Sequence, residues 1–292
     1  MAFLLAGRLT PTNVALLDAA RDLGTDAVLL PPELAASRAR PGDVLLPRLD
    51  VLPTLDGIEP GLSLVDAVAR RGVLVVNRAG TIAAAHDKLA TALRLTAAGV
   101  PHPRTGQVGP AGPARGRKPA FPVVVKPRFG SWGRDVHRCE SEDDLDQCLA
   151  ALSDRPWFRR QGALVQELIP PRGHDLRVLV AAGGVVGAVR RVAAPGEWRT
   201  NVALGGHREA VVPPPEARVV AIAAARAVGA GFVGVDLLPT TRGWVPIELN
   251  GCVDFTHEYG LYGGDPFIEV VAALERVSRE SFAFPADSRL PV

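Results

Sequence analysis

Three cysteines, Cys139, Cys148 and Cys252, are an odd number in a chain of 292 residues, and none stands in a Cys-x-x-Cys or Cys/His ligand spacing. That argues against both a disulfide framework and a zinc site. Cys252, two residues after Asn250, reads as a small buried filler. Long apolar runs are lacking too. None approaches the ~18 residues of a membrane span, and the first residues show no basic flank, apolar core and small-residue cleavage site. A cytoplasmic chain with no membrane partner is the expectation. Charge of one sign is also missing: 33 Lys and Arg against 31 Asp and Glu leave a net +2, too little to make nucleic acid the main partner. No strand-to-helix turn carries Gly-x-Gly-x-x-Gly. The formal match at Gly229, Gly231 and Gly234 follows a helix and enters a strand, the wrong way round for a dinucleotide turn.

What is present is an ordinary globular composition, 47% apolar and 22% charged, in a length that allows two or three small domains. Its organising stretch runs from Gly231 to Asp254. Two apolar runs, Phe232 to Leu238 and Trp244 to Leu249, flank Thr-Thr-Arg-Gly, the pattern of an antiparallel hairpin. Alternation puts Glu248 and Asn250 on one face of the second strand, where Asp236 of the first can meet them. Two carboxylates and an amide on apolar strands suit a hard cation that completes its shell with nucleotide phosphates, Mg²⁺ before others. The alternative is a polar cluster that pairs with Arg242 or a backbone amide.

Residues 1 to about 85 alternate strand and helix, which predicts a parallel sheet. Strands are expected at Phe3–Ala6, Ala27–Leu30, Asp43–Leu46 and Val73–Val76, with helices from Asn13, near Thr12, and from Leu62. Arg48, just past a strand, is either a ligand contact or a solvated loop residue. His86 to Gly99 reads as one helix with Asp87 in its first turn. Lys88, a cation at a helix start, hints at a nearby anion. The Pro- and Gly-interleaved stretch Gly106 to Pro119 reads as a linker or mobile loop and marks a domain boundary. Phe121 to Val125 is a strand feeding Lys126 and a small-residue loop with Gly130, Ser131 and Gly133, which suits phosphate but is not a Walker loop. Helix Glu142–Leu152 with Ser141 as cap, strand Ala163–Leu168 and a hairpin around Gly183-Gly184 follow. Ala193 to Arg208 is a long loop of the kind that forms lids, and Pro213 to Val228 a helix stopped by Gly229.

In chain order, Asp87-Lys88, Lys126-Pro-Arg with Gly130-Ser131-x-Gly133, Gln166-Glu167-Leu168 with Asp175-Leu176-Arg177, Arg199-Thr200-Asn201 with Gly205-Gly206, Gly234-Val235-Asp236 and Glu248-Leu249-Asn250 form a series. It resembles the ATP-grasp superfamily, and within it the RimK-like amino-acid (glutamate) ligases, over about residues 40 to 270. The resemblance implies an α/β, mixed α+β ATP-grasp fold. Residues 1–100 would be an N-terminal Rossmann-like domain, 119–168 the central subdomain and 169–292 the C-terminal subdomain with the metal site. It further implies that Lys88 and Lys126 touch ATP phosphates with Gly130, Ser131 and Gly133, that Glu167 and Leu168 read adenine, and that Asp175 accepts from ribose. Arg199 and Asn201 would cover the phosphates, Asp236, Glu248 and Asn250 would hold Mg²⁺ or Mn²⁺, and Arg177 and Arg190 would contact the transferred phosphoryl group or the carboxylate.

The implied activity is ATP-dependent joining of a carboxylate to an amine through an acyl phosphate, giving ADP, with a glutamate-like amino acid added to a small molecule, peptide or carrier protein by a homo-oligomer. Lysines, arginine and metal neutralise the charge as carboxylate meets phosphate, and a lid keeps water from the intermediate. A non-catalytic ATP-binding regulator and another ATP-grasp chemistry are the alternatives. Asp135 stands where the family's phosphate loop often has a glycine. Gly251 to Tyr259 departs from the family's Ser-Ser-Pro-Gly and is expected to line the acceptor pocket.

Overall fold

Parallel pairing dominates the first hundred residues because a helix returns each strand. The computed structural model describes residues 1–109, 112–115 and 120–283. Strands β1 (Ala2–Gly7), β2 (Asp26–Leu30), β3 (Val44–Arg48) and β4 (Leu74–Val75) form a sheet of order β2-β1-β3-β4, connected by α1 (Pro11–Asp22), α2 (Pro32–Arg38) and α3 (Leu62–Arg70). The first helix is capped by Thr10, whose hydroxyl accepts from Asn13 N at 3.1 Å, and not by Thr12, which is buried. Instead of one helix from His86 there are two, α4 (Ala79–His86) and α5 (Lys88–Ala97). Asp87 divides them. Its carboxylate accepts from Leu89 N at 3.0 Å and Ala90 N at 3.4 Å, taking amides that would otherwise continue the helix. Asp87 also pairs with Arg128, and the anion near Lys88 is Glu248, whose Oε2 lies 3.6 Å from the lysine Nζ.

A second, antiparallel sheet has the order β6-β5-β9-β7-β8, from β5 (Thr105–Gly109), β6 (Gly112–Arg115), β7 (Val123–Pro127), β8 (His137–Cys139) and β9 (Ala163–Glu167). Strands β5 and β6 correct the expectation that Gly106 to Pro119 forms no regular element. They lie at the sheet's edge, where main-chain pairing needs no side-chain alternation; residues 110, 111 and 116–119 of that stretch lie outside the described part. Helices α6 (Glu142–Leu152) and α7 (Pro156–Gln161) precede β9, and Ser141 caps α6 in a capping box with Asp144.

The third sheet, also antiparallel, has the order β12-β11-β10-β13-β14, built from β10 (His174–Ala181), β11 (Gly184–Val192), β12 (His207–Ala210), β13 (Phe232–Thr240) and β14 (Gly243–Asn250). Helix α8 (Pro215–Val228) covers one face with Ala217, Ala221, Ala224 and Val228 against Val178, Val180, Val233 and Val235. It stops at Gly229 in the left-handed region (φ 72°). Helix α9 (Pro266–Ala283) packs on the other face, where Val270, Val271 and Leu274 share a core with Phe3, Leu5 and Leu16 of the first unit. Two polar side chains fix that junction. Asn77 donates to Phe232 O at 2.6 Å and accepts from Gly231 N at 2.7 Å. Arg48 is not solvated: at 2% exposure it donates to Asn13 Oδ1 at 2.8 Å and Val253 O at 2.7 Å, while its Nη1 is buried without a hydrogen-bond partner.

Candidate functional site

The second and third sheets face one another across a cleft of about 120 Å³, lined among others by Lys88, Lys126, Leu168, Asn201, Asp236 and Glu248. The β-branched run Val123 to Val125 carries Lys126 to the end of β7, where it is 6% exposed and donates to Gln166 Oε1 at 2.8 Å. Burial pulls its ammonium down from 10.5 to about 8; Glu248 opposes the shift, Lys88 adds to it and Asp236 opposes it. Lys88 reaches in from the start of α5. Its Nζ donates to Gly130 O at 2.7 Å and lies 3.6 Å from Glu248 Oε2, tying helix, loop and β14 together.

On the other wall Asp236 pairs across the ladder with Glu248, next to a bulge between Asp236 and Leu237. Asp236 is 1% exposed. Arg177 donates to both its oxygens at 2.7 Å and Arg191 to Oδ2 at 2.8 Å. Burial alone would raise this carboxyl, but Arg177 and Arg191 outweigh it and hold it well below the usual carboxylate range. Arg191 also grips Asp175, which accepts from Thr200 Oγ1 at 2.7 Å. Partners for the expected cation site are therefore basic side chains, but not Arg242, which is exposed.

Room for a divalent cation is nonetheless present. Among the described residues the ion pairs of Glu248 are long, 3.6 Å to Lys88 and 4.0 Å to Arg177. Oδ1 of Asp236 accepts a single hydrogen bond, and Asn250, two residues after Glu248, stands on the same face of β14 with an amide oxygen to offer. Two carboxylates and an amide suit a hard cation. Among the described residues no group of three His, Cys, Asp or Glu could hold a metal, so the amide is needed to complete such a set.

Two loops roof the cleft. In the first, Gly133 has φ +71°, and a Cβ there would lie 3.0 Å from Asn201 Oδ1 of the second. Arg199, held by Glu197, donates to Gly133 O and Val136 O at 3.4 Å each.

A family model described as a RimK-like ATP-grasp domain matches residues 115–262. The chain belongs to this family. Its members are ATP-dependent, ADP-forming carbon–nitrogen ligases, and the chain is one of them. A probable alpha-L-glutamate ligase of Teredinibacter turnerae is 32% identical over 212 residues, covering 71% of this chain and 68% of the relative. One from Aeromonas salmonicida is 30% identical over 254 residues, covering 82% and 79%. The ATP-grasp fold recurs in a RimK domain protein of Sphaerobacter thermophilus (TM-score 0.64, 23% identity, 94% of this chain and 100% of that one). It recurs again in the D-alanine–D-alanine ligase of Bacillus anthracis (TM-score 0.66, 14% identity, 96% and 99%).

Most of the residues selected from the sequence line the ligase's cleft: Lys88, Lys126, Gly130, Ser131 and Gly133 on one side, Glu167 and Leu168 at one end, and Arg199, Asn201, Asp236 and Glu248 on the other. Arg177 and Asn250 line an adjoining cavity. One selection needs correction. Arg190 leaves the cleft altogether: 44% exposed, it faces Glu209 at 3.5 Å on the outer side of β11. The inward residue is its neighbour Arg191, because adjacent strand residues point to opposite faces. Asp175, expected at the ribose, lines the cleft too; its carboxylate, 1% exposed, accepts from Arg191 and Thr200. Beyond Arg191 the sequence also concealed Gln166, the partner of Lys126, although its place two residues before Leu168 on an apolar strand was a signal. No described helix is long and apolar enough to cross a membrane.

Proposed function

We propose that the chain activates a carboxylate by phosphoryl transfer from ATP and joins the resulting acyl phosphate to the amine of an amino acid, glutamate first among candidates because the curated relatives are named glutamate ligases. One observation carries the reading: Lys88, Lys126 and Glu248 converge at the cleft with the Arg177–Asp236–Arg191 cluster behind them. Carboxylate and triphosphate are both anions, so the approach of one to the other requires fixed positive charge. Lys126 and Lys88 supply it from the nucleotide side, and Arg177 from the side of the adjoining cavity. A divalent cation held by Glu248, Asn250 and the free valence of Asp236 would neutralise further phosphate charge. The loops around Gly133 and Asn201 exclude water, which would otherwise hydrolyse the acyl phosphate. The proposed division is a first unit over 1–100, a central one over 119–168 whose sheet is completed by β5 and β6 from the preceding segment, and a third over 169–292, with nucleotide between the last two.

The test is ADP release with a panel of carboxylates and L-glutamate, with hydroxylamine added to trap acyl phosphate as hydroxamate. Glu248→Gln is expected to abolish release and hydroxamate while the thermal unfolding midpoint stays near wild type. Asp236→Ala is a poor choice, since it strands the buried Arg191 and the half-buried Arg177. Retained turnover in Glu248→Gln would remove the site assignment. Nucleotide binding with no carboxylate-dependent ADP release across the panel would favour a regulator.

A further inference from the structure

Arg48, the last residue of β3, is a buried cation with little to compensate it. Its side chain is 1% exposed, and the carboxylate it pairs with, Asp254 at 3.6 Å, is itself half-exposed. Nε donates to Asn13 Oδ1 and Nη2 to Val253 O, while Nη1 is buried with no hydrogen-bond partner among the described residues. A charge held this way costs more than an apolar side chain of the same volume. At the carboxyl end of a parallel strand such a residue ordinarily faces a ligand, yet Arg48 lines neither the nucleotide cleft nor the cavity beside it. What it holds is the turn that follows β14.

The first unit grips that turn at both ends. Val253 O accepts from Arg48 at 2.7 Å, and the Val253 side chain lies against β13, where a Cβ on Gly234 would come within 2.7 Å of its Cγ2. Gly234 pairs across the ladder with Asn250. At the other end Gly251 rests on His86. A Cβ there would lie 3.1 Å from Nε2, and the same nitrogen is 3.0 Å from the carbonyl oxygen of Leu49, the residue after Arg48. Asn250 thus stands between a ladder pair and a turn clamped by Arg48 and His86. Its own Nδ2 is buried without a hydrogen-bond partner, so the main chain on either side sets where the amide points.

We propose that Arg48 is a positioning residue for the cation site: through the Val253 carbonyl it fixes the turn after β14, and with it the Asn250 amide. The end of the first unit's parallel sheet thereby sets the affinity for a divalent cation bound by residues of β13 and β14. The inference rests on the cation site proposed above and adds a residue outside it. Groups that orient a metal ligand from behind contribute roughly ten- to hundredfold in metal affinity.

The test needs no turnover. ADP is titrated calorimetrically into the whole chain in EDTA and at a series of Mg²⁺ concentrations, which gives the concentration producing half of the gain in ADP affinity. Arg48→Met should raise that concentration about tenfold or more and leave ADP affinity in EDTA unchanged. Arg48→Lys, still able to donate to Val253 O, should recover most of the loss. Gly251→Ala presses the other end of the turn against His86 without disturbing a buried charge and should also raise the Mg²⁺ requirement, which keeps the test open if Arg48→Met does not fold. Asn77→Ala breaks the other polar tie between the units, at Gly231 and Phe232, and should lower the unfolding midpoint with the Mg²⁺ requirement unchanged. Three results would overturn the proposal: Arg48→Met and Gly251→Ala both keep the wild-type Mg²⁺ requirement, Arg48→Met weakens ADP equally in EDTA, or Asn77→Ala raises the requirement as much as Arg48→Met. Glu248→Gln separates the two levels. If it leaves the Mg²⁺ dependence intact, the cation site itself falls; if it abolishes the dependence while Arg48→Met changes nothing, only the positioning role does.

Discussion

Binding of magnesium nucleotide at pH 8 is expected to draw a proton from solution, and Lys126 is the group that receives it. Its ammonium is 6% exposed and pulled down to about 8, chiefly by burial. At that pH about half of the free molecules therefore carry a neutral lysine. A phosphate group within ion-pair reach favours the charged form and restores the ordinary value, so uptake should approach about half a proton per nucleotide at pH 8 and fall towards zero near pH 6.5. Calorimetry in two buffers of different ionisation enthalpy reads this number as a slope. Lys126→Arg, charged at every accessible pH, should remove it. A slope of zero in wild type at pH 8, or one unchanged in Lys126→Arg, would refute the account of the buried ammonium.

The same shift bears on stability. A lysine whose folded value lies below its unfolded one penalises the folded state fully below pH 8; the penalty fades between about 8 and 10.5 and is gone above. In that window the unfolded chain binds more protons, so the nucleotide-free protein should gain stability as pH rises. A shift from 10.5 to about 8 corresponds to about 3 kcal/mol at neutral pH. Lys126→Met removes that cost but strands Gln166 Oε1, a loss of roughly 1–3 kcal/mol. The free variant should therefore match or exceed wild type in urea unfolding at pH 7 while losing protection by ADP. A variant several kcal/mol less stable would mean that the lysine holds the fold together rather than being held against its preference.

Arg191 should behave in the opposite way. Arg191→Met leaves Asp175 buried with only Thr200 as partner and is expected to cost about 3–5 kcal/mol in urea unfolding, with part recovered by adding Asp175→Asn; a loss below ~1 kcal/mol would contradict the buried cluster. Gly133→Ala places a Cβ at φ +71° and 3.0 Å from Asn201 Oδ1, so nucleotide affinity should fall about tenfold, from roughly 1 kcal/mol of backbone strain plus the displaced loop, while the unfolding midpoint hardly moves. Equal affinity would show that the two loops do not meet in the bound state.

The hairpin of β13 and β14 was legible because alternation and its turn residues agree, and its register puts Asp236 opposite Glu248. Lys126 was legible for a similar reason, a β-branched run ending in a cation. Arg191 was not, and counting shows why. From the turn of the β10/β11 hairpin, where Ala181 pairs with Gly184, regular pairing would place Asp175 opposite Arg190. A register shift between Leu179 and Val180 moves it to Arg191. A one-residue slip turns every later side chain to the other face, and nothing in Leu-Val-Ala-Ala-Gly-Gly signals it. Helix α2 and strands β5 and β6 escaped for a different reason. They are short, and tertiary contacts rather than periodicity hold them in place.

Asp135 shows how a departure from the family pattern acquires a structural role. It stands at φ 50°, a left-handed conformation that glycine would adopt more easily, and its carboxylate accepts from Trp157 Nε1 at 2.8 Å with Arg155 at 3.7 Å. Those partners are on and beside α7, outside the cleft. The loop is thereby fixed to the helix that packs under the second sheet, with Trp157 in the same core as Val123 and Val165. A glycine would leave that loop free to flap on its own. In the proposed reaction, a roof closing over nucleotide would carry the loop and its sheet together towards Asn201, and the contacts of Arg199 with Gly133 and Val136 mark where the two sides already meet.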